Sequence, residues 1–134
     1  MGRWKDRLHR NLGGNPDDLF DFAIAFFATC YHLRDWLACD VPSLRSELDA
    51  LFLTSAPLRV AADISNITKH FDLTNPPRAG RQLSLAREYE PTRGWFGPES
   101  RLVILSSGNK TDVLQLVTDC EGAWQEFLSK HGLL

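Results

Sequence analysis

Apolar residues dominate the stretch from Leu19 to Leu37 and leave no clearly polar helical face. They are Leu19, Phe20, Phe22, Ile24, Phe26, Phe27, Tyr31, Leu33, Trp36 and Leu37. Before them, Asn15 can cap a helix, Pro16 suits its first turn, and Asp17 and Asp18 complement the positive end of its dipole. The pattern therefore predicts a long helix ending near Cys39, and such all-round apolarity is typical of a helix central to a fold.

Two further helices follow at helical spacing. Ser43 is a candidate cap for a helix whose apolar stripe is Leu44, Leu48, Leu51 and Phe52. A third helix is predicted from about Ala56 to Phe71, with Val60, Ile64, Ile67 and Phe71 on its apolar stripe.

The second half of the chain changes period. Alternation over 81–90 and the apolar run at 101–106 predict two strands, and Ser107-Gly108-Asn109 predicts a turn. A last amphipathic helix is predicted from about Thr111 to Lys130, with Gly132 beyond its end. Residues 113–117 would also fit a hairpin with 103–105, but the helical period continues to Leu128 and favours the helix.

These elements predict a mainly α fold. It is a bundle of three or four helices with a small two-stranded antiparallel β-ribbon inserted before the last helix. Residues 1–14 are interpreted as a basic N-terminal arm and residues 15–134 as one helical domain, as expected for a chain of 134 residues.

Composition and motifs narrow the class of protein. No apolar run is long enough for a membrane span. The three cysteines have no metal-binding spacing and lie in helical contexts, which predicts reduced thiols in a cytoplasmic protein. Nucleotide-binding, zinc-protease and nucleophile-elbow motifs are absent from the sequence, and we expect no cofactor.

The net charge of −2 hides an uneven distribution. Residues 1–10 sum to +3, residues 16–40 to −4, and residues 78–101 to +2. Ordinary solvated surface charge is the favoured explanation of the basic segments. The alternative is attraction of an anionic partner such as RNA, with Trp95-Phe96 as a stacking surface, although packing of that loop onto the body is favoured over stacking. The basic side chains of the last segment are Arg78, Arg81, Arg87, Arg93 and Arg101.

Two helical stretches combine polar residues with core-like sequence. His32 and Asp35 share one face of the first long helix, three residues apart. Asp63, Asn66 and His70 follow at spacings of three and four beside an apolar stripe. If these helices pack together, the five residues meet at one edge of the interface, where His with carboxylates suits acid–base catalysis.

We therefore expect the side chains of His32, Asp35 and His70 to lie within one water-bridged contact of each other. Arg34 and Lys69 are the candidate anion-binding residues. Structural hydrogen bonding between the helices remains an alternative, because buried polar groups need partners. A metal site is a further alternative, although the spacing of known helical metal motifs is absent and no metal ligand is assigned.

The helix-borne Asn66-Ile67-Thr68-Lys69-His70 resembles the motif of the HEPN superfamily. The resemblance implies a helical bundle that binds or cleaves RNA, in a defence or toxin–antitoxin setting. Asn66 and His70 match the second half of the family motif, and the arginine expected shortly before the histidine is missing. The segments around His32 and Asp63 also resemble small bacterial proteins, a likeness that implies no function.

The expected function is thus RNA binding or cleavage. In the cleaving form, His70 is the general acid or base, His32 its partner, and Asp35 or Asp63 the group orienting a ring. The alternatives are a non-enzymatic, homodimeric interaction module and a metal-dependent enzyme using the His/Asp cluster. A homo-oligomer or a partner protein is expected in the second case, since four Trp and eight Phe can supply an aromatic interface.

Overall fold

A computed structural model describes residues 2–10, 16–70, 84–90, 99–106 and 108–134. The elements, in chain order, are α1 (Gly2–Arg10), α2 (Pro16–Asp40), a 3-10 turn (Pro42–Leu44), α3 (Arg45–Thr54), α4 (Ala56–His70), β1 (Ser84–Glu90), β2 (Glu99–Ser106), β3 (Asn109–Asp112) and α5 (Val113–Lys130). The predicted mainly helical fold, with a small antiparallel sheet before the last helix, is confirmed.

The sheet has one strand more than the predicted ribbon. Its order is β1-β2-β3, and both pairings are antiparallel. Gly108 has a φ of 82°, which allows a tight reversal after Ser106 and lets β3 pair back onto β2. Asp112 ends β3 and caps α5, because its carboxylate accepts from the N–H groups of Leu114 and Gln115. The hairpin alternative for residues 113–117 is thereby excluded.

At the helix ends, one local sequence signal is confirmed and another is wrong. Gly132 adopts a φ of 66°, and the N–H of Leu133 donates to the carbonyl of Leu128 at 2.9 Å, which closes the last turn of α5. Ser43, predicted to cap a helix, lies inside the 3-10 turn, and no side chain caps α3. The chain enters α3 directly from that turn, so the cap prediction is wrong.

The basic residues at the N-terminus form a helix. Leu8 of α1 is fully buried in the main core, and Trp4 packs against that core. Lys5 also forms an ion pair with Glu121 of α5. Residues 2–10 of the predicted arm are therefore anchored to the body of the fold, whereas residues 11–15 lie outside the described residues.

Helix α2 is the centre of the bundle. It packs against α1, α3, α4 and α5 and against β2. Its buried residues, among them Phe26 and Phe27, occupy one side, while Asp21, His32 and Trp36 lie exposed on the other. None of the described helices is both long and apolar enough to span a membrane.

The core is organised around Trp124 of α5, whose side chain is fully buried. The centroid of its ring lies 5.8 Å from that of Phe52 in α3 and 6.0 Å from that of Phe127, and both pairs are edge-on. Its Nε1–H donates to the carbonyl of Cys30 in α2 at 3.2 Å, so the one polar atom of the ring is satisfied. One side chain thus fixes three helices relative to each other.

Two cysteines extend this contact. Trp124 Nε1 also lies 3.3 Å from Cys30 Sγ, and the thiol of Cys120 donates to the carbonyl of Pro57 in α4 at 3.4 Å. A hydrogen bond with Cys30, together with burial, raises the pKa of Cys120 far above its ordinary value. The thiolate of Cys120 is therefore disfavoured. Cys30 is also buried, whereas Cys39 is exposed.

This arrangement predicts the reactivity of the three thiols. In native protein at pH 8, a thiol-specific disulfide reagent should label Cys39 rapidly, because the thiolate is the reactive species and only this thiol is accessible. Cys30 and Cys120 should be labelled only after denaturation, and Cys39→Ser should abolish the fast phase. Fast labelling of the Cys39→Ser protein in its native state would contradict the buried thiol arrangement.

Candidate functional site

The predicted polar residues of α2 lie on its exposed side. The ring of His32 contacts the rings of Tyr31 and Trp36, each at 6.3 Å between centroids. Both His32 and Asp35 are exposed, and Trp36 is 56% exposed. Within the described part of the chain, His32 forms no hydrogen bond or ion pair. This half of the predicted constellation is therefore an open surface beside an exposed indole.

Arg34, a predicted anion-binding residue, is engaged with carboxylates. Its Nη1 donates to Asp35 at 2.9 Å, its Nε donates to Asp49 of α3 at 3.2 Å, and its Nη2 also pairs with Asp49. Burial works to lower the pKa of Arg34, but the hydrogen bond and charge of Asp49 outweigh it and raise that pKa above its ordinary value. The guanidinium ties α2 to α3, so an external anion would have to displace these carboxylates.

The polar stripe of α4 differs sharply in burial from the α2 surface. Asp63 is 1% exposed, and Asn66 is partly buried. Five successive residues, 61–65, are buried, so this helix is covered on all sides at its middle. Asp63 is therefore a buried carboxylate within the fold, while His32 stands on the surface.

The rest of the α4 prediction lies outside the described residues. His70 ends α4, but neither its side chain nor that of Lys69 is among the side chains that the structure describes. The expected proximity of His32, Asp35 and His70 therefore stays a prediction.

Arg59 was missed by the sequence analysis, although it belongs to the same stripe. Arg59, Asp63, Asn66 and His70 follow each other at spacings of four, three and four, which places them on one face of α4. The Nε of Arg59 is buried, and no described residue accepts a hydrogen bond from it. The signal was available in the sequence, since the stripe only had to be extended by one turn towards the N-terminus.

A groove between α3 and α5 was also missed. It encloses about 480 Å³ and has an apolar floor that includes Leu51 and Phe127. At one end, Lys130 Nζ donates to Glu47 Oε2 at 3.2 Å, and His131 Nε2 lies 3.2 Å from the same oxygen without the angle of a hydrogen bond. Such a groove can hold a small ligand, and its residues come from two helices that are distant in sequence.

Metal binding finds no support in the described part of the chain. There, no three His, Cys, Asp or Glu side chains come together as a metal site would require. Comparison of the chain with models of protein families, with curated proteins and with solved structures gives no match. The class of the protein is therefore stated from its fold, which is a mainly helical bundle with a small antiparallel sheet.

The exposure of His32 makes a direct prediction. His32→Gln should change the free energy of unfolding by less than about 0.5 kcal/mol, because a solvated side chain leaves neither a cavity nor an unpaired buried group. Thermal or urea unfolding measures this change. A loss of stability of about 2 kcal/mol would instead mean that His32 is part of a buried polar network.

Proposed function

We propose that the protein binds RNA through the exposed face of α1. The observation that supports this proposal is a row of guanidinium groups. Arg3, Arg7 and Arg10 are exposed, and their spacings of four and three place them on one side of the helix. Such a row can contact successive phosphates of a nucleic acid backbone.

Two of these arginines, Arg3 and Arg7, lie against aromatic rings. The guanidinium carbons of Arg3 and Arg7 lie 5.6 and 4.8 Å from the centroid of the Trp4 ring, and that of Arg7 also lies 5.7 Å from the centroid of Phe22. Contacts at these distances are cation–π interactions, which limit the motion of the side chains before a ligand arrives. Leu8 and the Lys5–Glu121 pair fix the helix itself.

Binding is proposed in preference to cleavage. The resemblance to HEPN domains implies RNA as ligand, but the motif ending at His70 lacks the arginine of the family's catalytic signature. An exposed basic helix supplies affinity for phosphates without any catalytic group. It also recognises little sequence, so the expected binding is general for RNA and strongly dependent on salt.

The test is fluorescence anisotropy with a labelled single-stranded RNA, measured over a range of salt concentrations. The double substitution Arg3→Gln/Arg10→Gln should weaken binding at least about tenfold and make the slope of log K against log salt shallower by about 1.4, since two phosphate contacts are lost. The control, Arg45→Gln/Lys110→Gln, removes the same charge from exposed positions on α3 and β3.

Equal weakening by the control would show that net charge alone is responsible, and the α1 proposal would fail. Absence of salt-dependent binding by the unmodified protein would remove RNA as a ligand altogether. Cleavage of the RNA in the presence of EDTA, if lost in His70→Ala, would instead favour the ribonuclease alternative.

We propose as a second candidate function a homodimeric interaction module that uses the outer face of α2. Trp36 supports it, because an indole with 56% of its surface exposed beside the His32 ring is typical of the aromatic anchors of protein interfaces. The exposed carboxylates Asp35 and Asp40 border this face and disfavour a nucleic acid there.

Light scattering at tens of micromolar protein checks this candidate. The protein should have a mass near twice 15.2 kDa, and Trp36→Ala should shift it to the monomer. Leu53→Ala is the matched control, since Leu53 is also a large exposed apolar residue but lies on α3, and it should leave the dimer intact. A monomeric protein, or a dimer that survives Trp36→Ala, would refute the proposed interface.

A further inference from the structure

The groove between α3 and α5 is formed by one face of each helix. Residues 47, 50, 51 and 54 line it from α3, and residues 123, 126, 127 and 130 line it from α5, both at the spacing of a single helix face. No Cα atom of α3 lies within 8 Å of a Cα atom of α5. The two helices are instead joined by the buried rings of Phe52 and Trp124 and, at one end, by Lys130 and Glu47. A space of about 480 Å³ is therefore left between them.

The size and floor of this groove suit a small ring system. Ala50 and Ala123 contribute only methyl groups to its two sides, while Leu51 and Phe127 supply apolar floor. Ala50 is exposed and Leu51 is only partly buried, so a ligand can reach apolar surface there. Clefts of about 300–1,000 Å³ with an apolar lining and a few polar groups are typical of sites for small molecules. The space is sufficient for a bicyclic aromatic ring.

The charged residues of the groove determine which polar group such a ligand carries. They are Glu47, Glu126 and Lys130, so carboxylates outnumber ammonium groups two to one. Lys130 follows Glu126 by four residues, which is the favourable order for a helical ion pair, yet its ammonium reaches across to Glu47. Within the described residues, Glu126 forms no hydrogen bond or ion pair. The excess negative charge therefore lies at Glu126, where it attracts a cation and repels an anion.

We propose that this groove binds a small aromatic amine. The ring of the ligand lies on Leu51 and Phe127, and its protonated amine donates to the carboxylate of Glu126. An aromatic acid of the same shape meets two carboxylates, and a neutral analogue gains only the contact with the floor. The site shares no residue with the arginines of α1 or with Trp36 of α2, so it goes beyond both proposed functions and can be tested separately from them.

The test compares three probes that share one ring and differ in one end group. They are tryptamine, tryptophol and indole-3-propionate, which carry an ammonium, a hydroxyl and a carboxylate at neutral pH. Titration is followed by the methyl NMR signals of the alanines, because ring currents shift only nearby protons. The signals of Ala50 and Ala123 should move on addition of tryptamine, while that of Ala23, buried in α2, should not.

Tryptamine should bind about threefold to fivefold more tightly than tryptophol, which is the gain expected from one solvent-accessible ion pair. Indole-3-propionate should bind more weakly than either. Equal affinity for the amine and the alcohol would overturn the assignment to amines. Absence of a shift at Ala50 and Ala123 with all three probes, up to about 10 mM, would overturn the site.

Glu126→Gln separates the charge from the shape of the groove. Glu126 is exposed, so the variant should fold like the unmodified protein. It should bind tryptamine about threefold to fivefold more weakly and tryptophol with unchanged affinity. Asp21→Asn is the matched control, since it removes an exposed carboxylate of α2 and should change neither affinity. An equal loss in both variants would show that net charge alone attracts the amine, and the proposal would be wrong.

Ala50→Leu tests whether the space itself is needed. Leucine is a good helix former, and the exposed position on α3 accepts it without disturbing the core. The larger side chain fills part of the groove, so tryptamine and tryptophol should both bind at least about fivefold more weakly. Ser46→Leu adds a similar side chain at an exposed position of α3 outside the groove and should bind both probes normally. Undiminished binding by Ala50→Leu would place the ligand elsewhere and refute the proposed site.

Discussion

The fold depends on the burial of Trp124 with its N–H satisfied. A buried indole needs an acceptor, and here the acceptor is a backbone carbonyl of α2, which can accept a second hydrogen bond in addition to its helical one. This contact sets the distance and rotation of α5 against α2, while the ring itself packs on Phe52 of α3. The Cys30 thiol lies beside the Trp124 N–H and is hydrogen-bonded to the Cys120 thiol, which in turn contacts a backbone carbonyl of α4. The relative positions of α2, α3 and α5 are thus fixed through one side chain. The helix faces that point away from Trp124 are not needed for this packing.

Two arginines illustrate how packing decides whether the same side chain finds a partner. Arg34 has carboxylates on two helices within reach, so its charge is neutralised and its donors are used. Arg59 lies on α4 just before its fully buried middle, and within the described residues its Nε has no hydrogen-bond acceptor. The same side-chain chemistry therefore gives a clamp in the first case. In the second case it gives a buried donor that no described residue satisfies.

In the folded protein, basic and acidic side chains lie on different surfaces. Helix α1 is anchored by Leu8 and by the pair between Lys5 and Glu121, so its exposed arginines form a fixed basic surface. The outer face of α2 carries exposed carboxylates and Trp36. The electrostatic potential is therefore positive at the first surface and negative at the second. The net charge of −2 is a sum over the whole chain and describes neither of these surfaces.

Hydrophobic periodicity was sufficient to predict the long helix, the two helices after it, the antiparallel strands and the last helix, because each of these segments repeats its apolar positions over many residues. The positive-φ turn at Gly108 and the cap at Asp112 place residues 109–112 in a third strand. The periodicity did not predict this strand, because it placed the start of the last helix at about Thr111. The sequence also indicated which residues share a face, such as His32 with Asp35 and Asp63 with Asn66. Only the tertiary structure decided their burial. Solvent exposure depends on what packs against a helix from elsewhere in the chain, so His32 remains at the surface while Asp63 is enclosed.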